Sequence, residues 1–158
     1  MMPAVIRRAR DGDEHHVAEF AIRLFAQHVE YDPGRFSIFA NVDGAARFYR
    51  SRFDTADSAV FVAEIENEIV GFAYIERDPL NYAELLENGA WLHDIYVDEQ
   101  ARAEGVGKAL ISAAAKAAKQ MGAEKLLLTV AAKNPGAQKI FEKAGFRPTM
   151  MEMTLNLK

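Results

Sequence analysis

The stretch from Trp91 to Val130 constrains this chain more than any other part of it. Trp91-Leu92-His93-Asp94-Ile95-Tyr96-Val97 is a β-rich run of strand length. A loop holding Gly105 and Gly107 follows, and from Gly105 to Met121 the apolar period becomes helical. Val106, Leu110, Ala113, Ala117 and Met121 share one stripe; Lys108, Ser112, Lys116 and Lys119 fall off it; Gly122 supplies the stop. Lys125 to Val130 is then a near-continuous apolar run, the pattern of a strand buried on both faces. Strand, loop, helix and strand in that order imply a crossover and parallel pairing.

The remaining segments read as elements that complete such a sheet. Val5 to Ala9 is a short first strand. Asp11-Gly12-Asp13 offers turn and capping chemistry before a helix to about His28, with Val17, Phe20, Ala21, Leu24 and Phe25 on one face. His28 to Ala40 is polar, broken by Pro33-Gly34, and reads as a loop. A second helix from about Val42 to Phe53 carries Ala45, Phe48, Tyr49 and Arg52 at helical spacing. Ala59–Ile65 and Ile69–Ile75 flank Glu66-Asn67-Glu68, a tight hairpin turn that implies antiparallel pairing, so the sheet is expected to be mixed. Asp78 to Asn88 reads as irregular. Asn134-Pro135 opens a short helix ending at Ala144-Gly145, and Met151 to Leu157 alternates as a closing strand. Linkers, low-complexity tracts and repeats are absent, so residues 1–158 are expected to form a single domain.

Composition narrows the function classes. A chain of 158 residues buries roughly two-thirds of its unfolded surface, and 50% hydrophobic with 27% charged residues is the balance of an ordinary soluble globular protein. A net charge of −4 argues against a general nucleic-acid role, which needs clustered Lys and Arg. The lack of cysteine removes disulfides, thiolate metal sites and cysteine nucleophiles, and fits a reducing compartment. Met1 to Arg8 holds no apolar run long enough for a signal peptide, and no stretch nears the roughly 20 apolar residues of a membrane span. The expectation is a cytoplasmic protein without a membrane partner. His15, His16 and His28 show no metal-ligand spacing, so no metal is expected.

The glycine loop carries the chemistry. The first amides of a helix have no internal partners and hold the positive end of its dipole, and glycines let a ligand come against the backbone. The strand–loop–helix unit is therefore an anion site suited to phosphate or pyrophosphate, with Arg102 and Lys108 adding charge at either side. A P-loop would need longer glycine spacing and Ser or Thr where Ala109 stands. A Rossmann fingerprint would need a third small residue at Leu110. Arg-x-x-Gly-x-Gly, Arg102 through Gly107, instead resembles the acetyl-CoA pyrophosphate loop of the GNAT superfamily of N-acetyltransferases. About thirty residues on, Asn134-Pro135-Gly136-Ala137-Gln138-Lys139-Ile140-Phe141-Glu142-Lys143-Ala144-Gly145-Phe146 is similar to that family's second motif, Asn-x-x-Ala-x-x-x-Tyr/Phe-x-x-x-Gly-Phe.

That resemblance implies an α/β (mixed α+β) fold, a central mixed, twisted β-sheet flanked by about four helices. It implies acetyl-CoA as cofactor, with backbone of Ile95, Tyr96 and Val97 meeting the pantetheine arm and amides of Ala103, Glu104, Gly105, Val106, Gly107 and Lys108 cradling the pyrophosphate. Asn134 is expected beside the pantetheine and Phe141 near the thioester sulfur. Family members attack the thioester directly with a neutral amine in a ternary complex, so the protein must deprotonate an ammonium and manage a departing thiolate. His93 lies where some relatives carry a carboxylate base, and its ordinary pKa of about 6.5 suits proton removal. Asp94, on the opposite face of a regular strand, is the other candidate base. Many relatives carry Tyr where this chain has Phe141, which donates no proton. Tyr96 or water are the substitutes, or the thiolate leaves unassisted, as a pKa near about 8.5 tolerates.

Glu30, Tyr31 and Asp32 in one loop, and Tyr82, Glu84 and Glu87 in the other, are expected to wall an acidic acceptor pocket for a cationic small-molecule amine. Two rivals stand beside that reading: a CoA-binding module without transferase activity, motivated by Phe141, and a modifier of protein N-termini or lysines. Homodimers are common in the family; no feature of the sequence decides for or against one.

Overall fold

A computed structural model describes residues 3–158; Met1 and Met2, where the stretch read for a signal peptide begins, lie outside the described residues. In chain order the elements are β1 (Val5–Arg8), α1 (Glu14–Tyr31), α2 (Val42–Arg50), β2 (Ser58–Ile65), β3 (Glu68–Asn81) and β4 (Leu86–Val97). A 3-10 segment (Glu99–Glu104), α3 (Val106–Gln120), β5 (Lys125–Leu127) and α4 (Pro135–Lys143) follow. The strands form one sheet in the order β1-β2-β3-β4-β5. The first three pairings are antiparallel and β4–β5 is parallel, so the sheet is mixed as the element order implied.

Local chemistry accounts for these elements. Ile65 pairs with Glu68 across a two-residue turn in which Glu66 and Asn67 both take positive φ, 52° and 66°. That backbone twist matches the twist of the flanking strands. Asp13 begins α1 but does not cap it with its side chain. Its carboxylate instead accepts from the Arg7 guanidinium at 2.7 Å and the Arg10 amide at 2.8 Å, tying β1 to the helix start. Asn41 caps α2 by accepting from the Gly44 amide at 2.7 Å.

Each face of the sheet buries its own core. Val17, Phe20 and Ala21 of α1 and Ala45, Ala46 and Tyr49 of α2 pack on Val60, Val62, Phe72, Tyr74 and Tyr96. Val106, Leu110, Ile111, Ala114 and Ala117 of α3 pack on Ala59, Ala63, Ala73, Ile75, Ala90 and Leu92. The period-2 alternation along β2 and β3 sends successive residues to these two layers.

Three expectations are corrected. Asp78 to Asn88 is not irregular: β3 and β4 continue as one long hairpin, Asp78 opposite Gly89 and Asn81 opposite Leu86, turning at Tyr82 to Leu85. The turn lacks a Gly or Asn-Gly signal, and Leu85 and Asn88 take positive φ instead. The Lys125–Val130 strand is shortened to Lys125–Leu127 and is half-buried, because the chain leaves β4 beyond Leu127. Met151 to Leu157 does not join the sheet; it runs exposed, outside every element. Among the described residues no helix is long and apolar enough to cross a membrane.

Gly71 sits on β3 opposite Val97 of β4. A Cβ there would meet the Tyr96 carbonyl oxygen at 2.8 Å and Leu110 Cδ1 at 3.4 Å, and backbone cannot swing aside as a side chain can. Gly71→Ala is expected to destabilise the fold by about 1–3 kcal/mol, read as a lower midpoint in urea unfolding. An unchanged midpoint would contradict this packing.

Candidate active site

The β3–β4 register is regular from Gly71↔Val97 to Tyr74↔Asp94, then resumes at Ile75↔Leu92, so His93 is an extra residue without a partner. This bulge resets the alternation of β4. Leu92 lies in the α3-face core, but His93 and Asp94 both turn to the α1/α2 face. The expectation that Asp94 points away from His93 assumed a regular strand, and the bulge overturns it. The exposed His93 ring is stacked between aromatics, 5.3 Å from Tyr74 at 29° and 6.3 Å from Trp91 at 17°.

Asp94 accepts a 2.7 Å hydrogen bond from the buried Tyr49 hydroxyl of α2. Burial pushes the Asp94 carboxyl above its ordinary range, against the pull of Tyr49 and of the His93 and His28 imidazoles. Burial, then the charge and hydrogen bond of Asp94, drive the Tyr49 hydroxyl well upward, so it stays a donor. His28, on the last turns of α1, is fixed by a 2.9 Å Nδ1 contact to the Leu24 carbonyl and packs edge-on against Tyr31 and Phe36.

Beside His93 opens a cleft of ≈ 490 Å³ lined by Glu76, Arg77, Asp78, Asn81, Glu84, Trp91 and Thr129; the Arg77 guanidinium donates to the Met121 carbonyl at 2.6 Å and to Asn88 Oδ1 at 3.3 Å. Its polar groups are organised. Asp78 accepts from Trp91 Nε1 at 3.0 Å and Asn81 Nδ2 at 2.8 Å, and Glu76 accepts from the Tyr74 hydroxyl. Of the acidic residues expected in the two loops, Glu84 lines this cleft. Glu30, Tyr31 and Tyr82 do not line the cleft: Glu30 is exposed, Tyr31 packs on His28, and Tyr82 stands out from the hairpin turn. The missed residues Glu76, Asp78 and Trp91 come from the unforeseen lengthening of the hairpin. The alternation of Glu76, Asp78 and Leu80 was its available signal.

Parallel pairing of β4 with β5 covers only Gly89–Trp91, so the backbone of β4 from Leu92 to Val97 is unpaired on that side. At the end of this open edge the 3-10 segment and α3 meet at Gly105, whose φ of 74° suits glycine. The first helical bond of α3 runs from the Ala109 amide to the Gly105 carbonyl at 3.1 Å, leaving the Val106, Gly107 and Lys108 amides at the free helix start. Ala103, Glu104, Gly105 and Lys108 are exposed there. Gly107 needs no glycine for the fold: a Cβ would meet only Val97 Cγ2, at 3.9 Å. Arg102 is turned back, its Nε donating to the Val97 carbonyl at 2.9 Å and its guanidinium 5.4 Å over the Tyr96 ring. Ile95 lies in the α3-face layer, and Tyr96 is buried against Phe20 at 5.4 Å. Asn134 caps α4 by accepting from the Ala137 amide at 3.2 Å, and Phe141 packs edge-on against Phe146.

The raised carboxyl makes a pH prediction. Folded Asp94 holds its proton to higher pH than the unfolded chain, so between the two pKa values the native state binds more protons and stability falls as pH rises. Asp94→Asn keeps an acceptor for Tyr49 without that liability. Its stability relative to wild type, by urea unfolding, is expected to improve from pH 4 towards pH 7. A difference that stays flat would contradict the buried carboxyl.

Comparisons with known proteins agree with the fold. The family model described as the acetyltransferase (GNAT) family matches residues 20–146. The uncharacterized N-acetyltransferase YhfO of Bacillus subtilis (strain 168) is 29% identical over 141 residues, 89% of this chain and 88% of that protein. An N-alpha-acetyltransferase of Sulfurisphaera tokodaii is 34% identical over 105 residues, 63% of each chain. The aminoglycoside N-acetyltransferase AAC(6')-Iy, solved in complex with CoA, superposes with a TM-score of 0.77 at 18% identity, covering 98% of this chain and 95% of that one. The sheet, the helix-start loop and the match across residues 20–146 together make this chain a member of the acetyltransferase (GNAT) family, an acetyl-transferring enzyme.

Proposed function

We propose that the protein transfers the acetyl group of acetyl-CoA to a primary amine of a small cationic acceptor. The observation that carries this reading is the exposed His93 at the mouth of a cleft bearing Glu76, Asp78 and Glu84, beside the open edge of β4. The carboxylates would draw in an ammonium and lower the cost of holding it near the base.

The residues fit the cofactor. The Val106, Gly107 and Lys108 amides and the helix dipole suit a pyrophosphate, and the space over Gly107 is open to it. The first turn of α3 carries Lys108 and no acidic residue, a placement the dipole disfavours unless an anion offsets it. The β4 edge without a strand partner, along Ile95, Tyr96 and Val97, offers partners to the amide-bearing arm, the Val97 carbonyl being already engaged by Arg102 Nε. When bound, acetyl-CoA supplies the activated acyl group. AAC(6')-Iy binds CoA at its own site, and YhfO and the Sulfurisphaera protein carry acetyltransferase names, which supports the same use here.

His93 accepts the proton of the incoming ammonium, directly or through one water, and Tyr74 and Trp91 hold its ring in place. Asp94 acts behind it as a positioning carboxyl held by Tyr49. Bound acetyl-CoA would supply the acyl group to the amine and leave as the thiol, and since Phe141 carries no proton to donate, the proton on sulfur would come from solvent. A second reading, acetylation of a protein N-terminus, is favoured by the name of the Sulfurisphaera relative. Turnover of N-terminal peptides but not of polyamines or amino sugars would select it.

Two experiments test the proposal. Titration calorimetry is expected to show micromolar acetyl-CoA binding to wild type, weakened at least about 100-fold by Gly107→Trp, which fills the cradle. No binding to folded wild type would sink the cofactor assignment. In steady-state kinetics with a polycationic acceptor, His93→Ala is expected to lower kcat about 100-fold or more, and KM to rise severalfold between about 20 and about 300 mM salt in wild type. Salt-independent KM would refute the acidic-cleft argument, and full activity in the variant would refute the base.

A further inference from the structure

The base and two of the cleft carboxylates share their holders. Tyr74 and Trp91 flank the His93 ring at 5.3 Å and 6.3 Å, and each also donates one hydrogen bond to a carboxylate that lines the cleft. The Tyr74 hydroxyl donates to Glu76 Oε2, and Trp91 Nε1 donates to Asp78 Oδ2 at 3.0 Å. Strand geometry makes this arrangement. Tyr74, Glu76 and Asp78 alternate along β3 and so share a face, and Trp91 is the β4 residue paired with Glu76. The bulge then brings His93 onto that same face, between the two rings.

The holders are themselves fixed. Tyr74 is buried and stands edge-on to Phe48 and Tyr49 of α2, each at 5.7 Å. Burial, then the hydrogen bond and charge of Glu76, push its hydroxyl well upward against the pull of Arg52, so it keeps the proton it donates. Asp78 receives a second bond on the same oxygen, from Asn81 Nδ2 at 2.8 Å. In each carboxylate the donors occupy one oxygen, and among the described residues no hydrogen bond engages the other. One oxygen of each is left for a ligand, aimed in a set direction.

We propose that Tyr74 and Trp91 are positioning residues with two functions each: the ring sets the His93 imidazole, and the polar edge sets a carboxylate that receives the positive charge of the acceptor. This assignment rests on the reading of His93 as base and of the cleft as acceptor site. Glu and Asp side chains left to turn freely lose that freedom when a ligand binds, and holding them beforehand removes the loss from the binding step. Tying the carboxylate to the base through one aromatic side chain also fixes their separation. An ammonium bound at the free oxygen of Glu76 or Asp78 therefore lies at a set distance from His93. The two functions are separable by substitution, because Phe keeps a ring at either position and loses the donor.

Steady-state kinetics of the full chain with acetyl-CoA and spermidine, paired with calorimetric titration of spermidine into the same proteins, test this. Tyr74→Phe is expected to raise KM about tenfold while kcat falls less than about threefold. Trp91→Phe should act in the same direction more weakly, since Asn81 still holds Asp78. Tyr74→Leu, which loses ring and hydroxyl together, is expected to lower kcat about tenfold as well. Glu76→Gln combined with Tyr74→Phe should cost no more in KM than Glu76→Gln alone, the mark of two groups acting as one. A Tyr74→Phe protein with the wild-type KM overturns the proposal, as does a loss in kcat with KM unchanged, or losses that multiply in the double variant. The calorimetry separates this assignment from the reading beneath it. Spermidine binding weakened about tenfold by Tyr74→Phe, with no protein turning it over, supports the two holders and counts against acetyl transfer. Full turnover with binding indifferent to the variants overturns the holders and leaves acetyl transfer standing. Wild type that neither binds nor acetylates spermidine overturns both.

Discussion

Strands β4 and β5 are hydrogen-bonded only from Gly89↔Lys125 to Trp91↔Leu127 and then part, and the functional face of the molecule is arranged around that parting. Beyond it β4 keeps β3 as its one partner, so its other edge carries free backbone groups that an amide-bearing ligand can pair with. The bulge at His93 falls two residues past the last β4–β5 pair. It turns two consecutive side chains, His93 and Asp94, onto the same face, where a regular strand would show only one of them. The open edge then runs into the start of α3, so the groups suited to a long phosphorylated arm lie end to end.

The surroundings supply rigidity on one side and charge on the other. Tyr49, buried in α2, holds Asp94, and the Tyr74 and Trp91 rings hold His93 from either side. The long β3–β4 hairpin carries Glu76, Asp78 and Glu84 to the mouth of the cleft. Catalysis of the proposed kind needs such an arrangement, because a fixed base and a fixed field cost little reorganisation when charge moves.

How far the sequence disclosed this depends on whether the determinant was local. The crossover from β4 through the glycine loop to α3 was legible because period, glycine placement and capping are written in neighbouring residues. The Glu66-Asn67 hairpin was legible for the same reason. The hairpin at Tyr82–Leu85 was not, since its turn uses Leu85 in a left-handed conformation that side-chain chemistry does not advertise. The bulge at His93 was invisible because it depends on the register of a partner strand, and Tyr49 reached Asp94 through tertiary packing across 45 positions of chain. Met151 to Leu157 alternates as a closing strand would, yet it forms none. What alternation cannot state is which edge such a strand pairs with, and its own chain leaves it exposed.

The most direct test of the account is amide hydrogen exchange of the protein with and without saturating CoA, resolved to short peptides. The account predicts slowed exchange in two stretches, Leu92 to Val97 and Ala103 to Lys108, with β1 and β2 unchanged. Protection confined to other elements, or none in either stretch under conditions where CoA binds, would contradict the claim that the parted β4 edge and the start of α3 form the cofactor site.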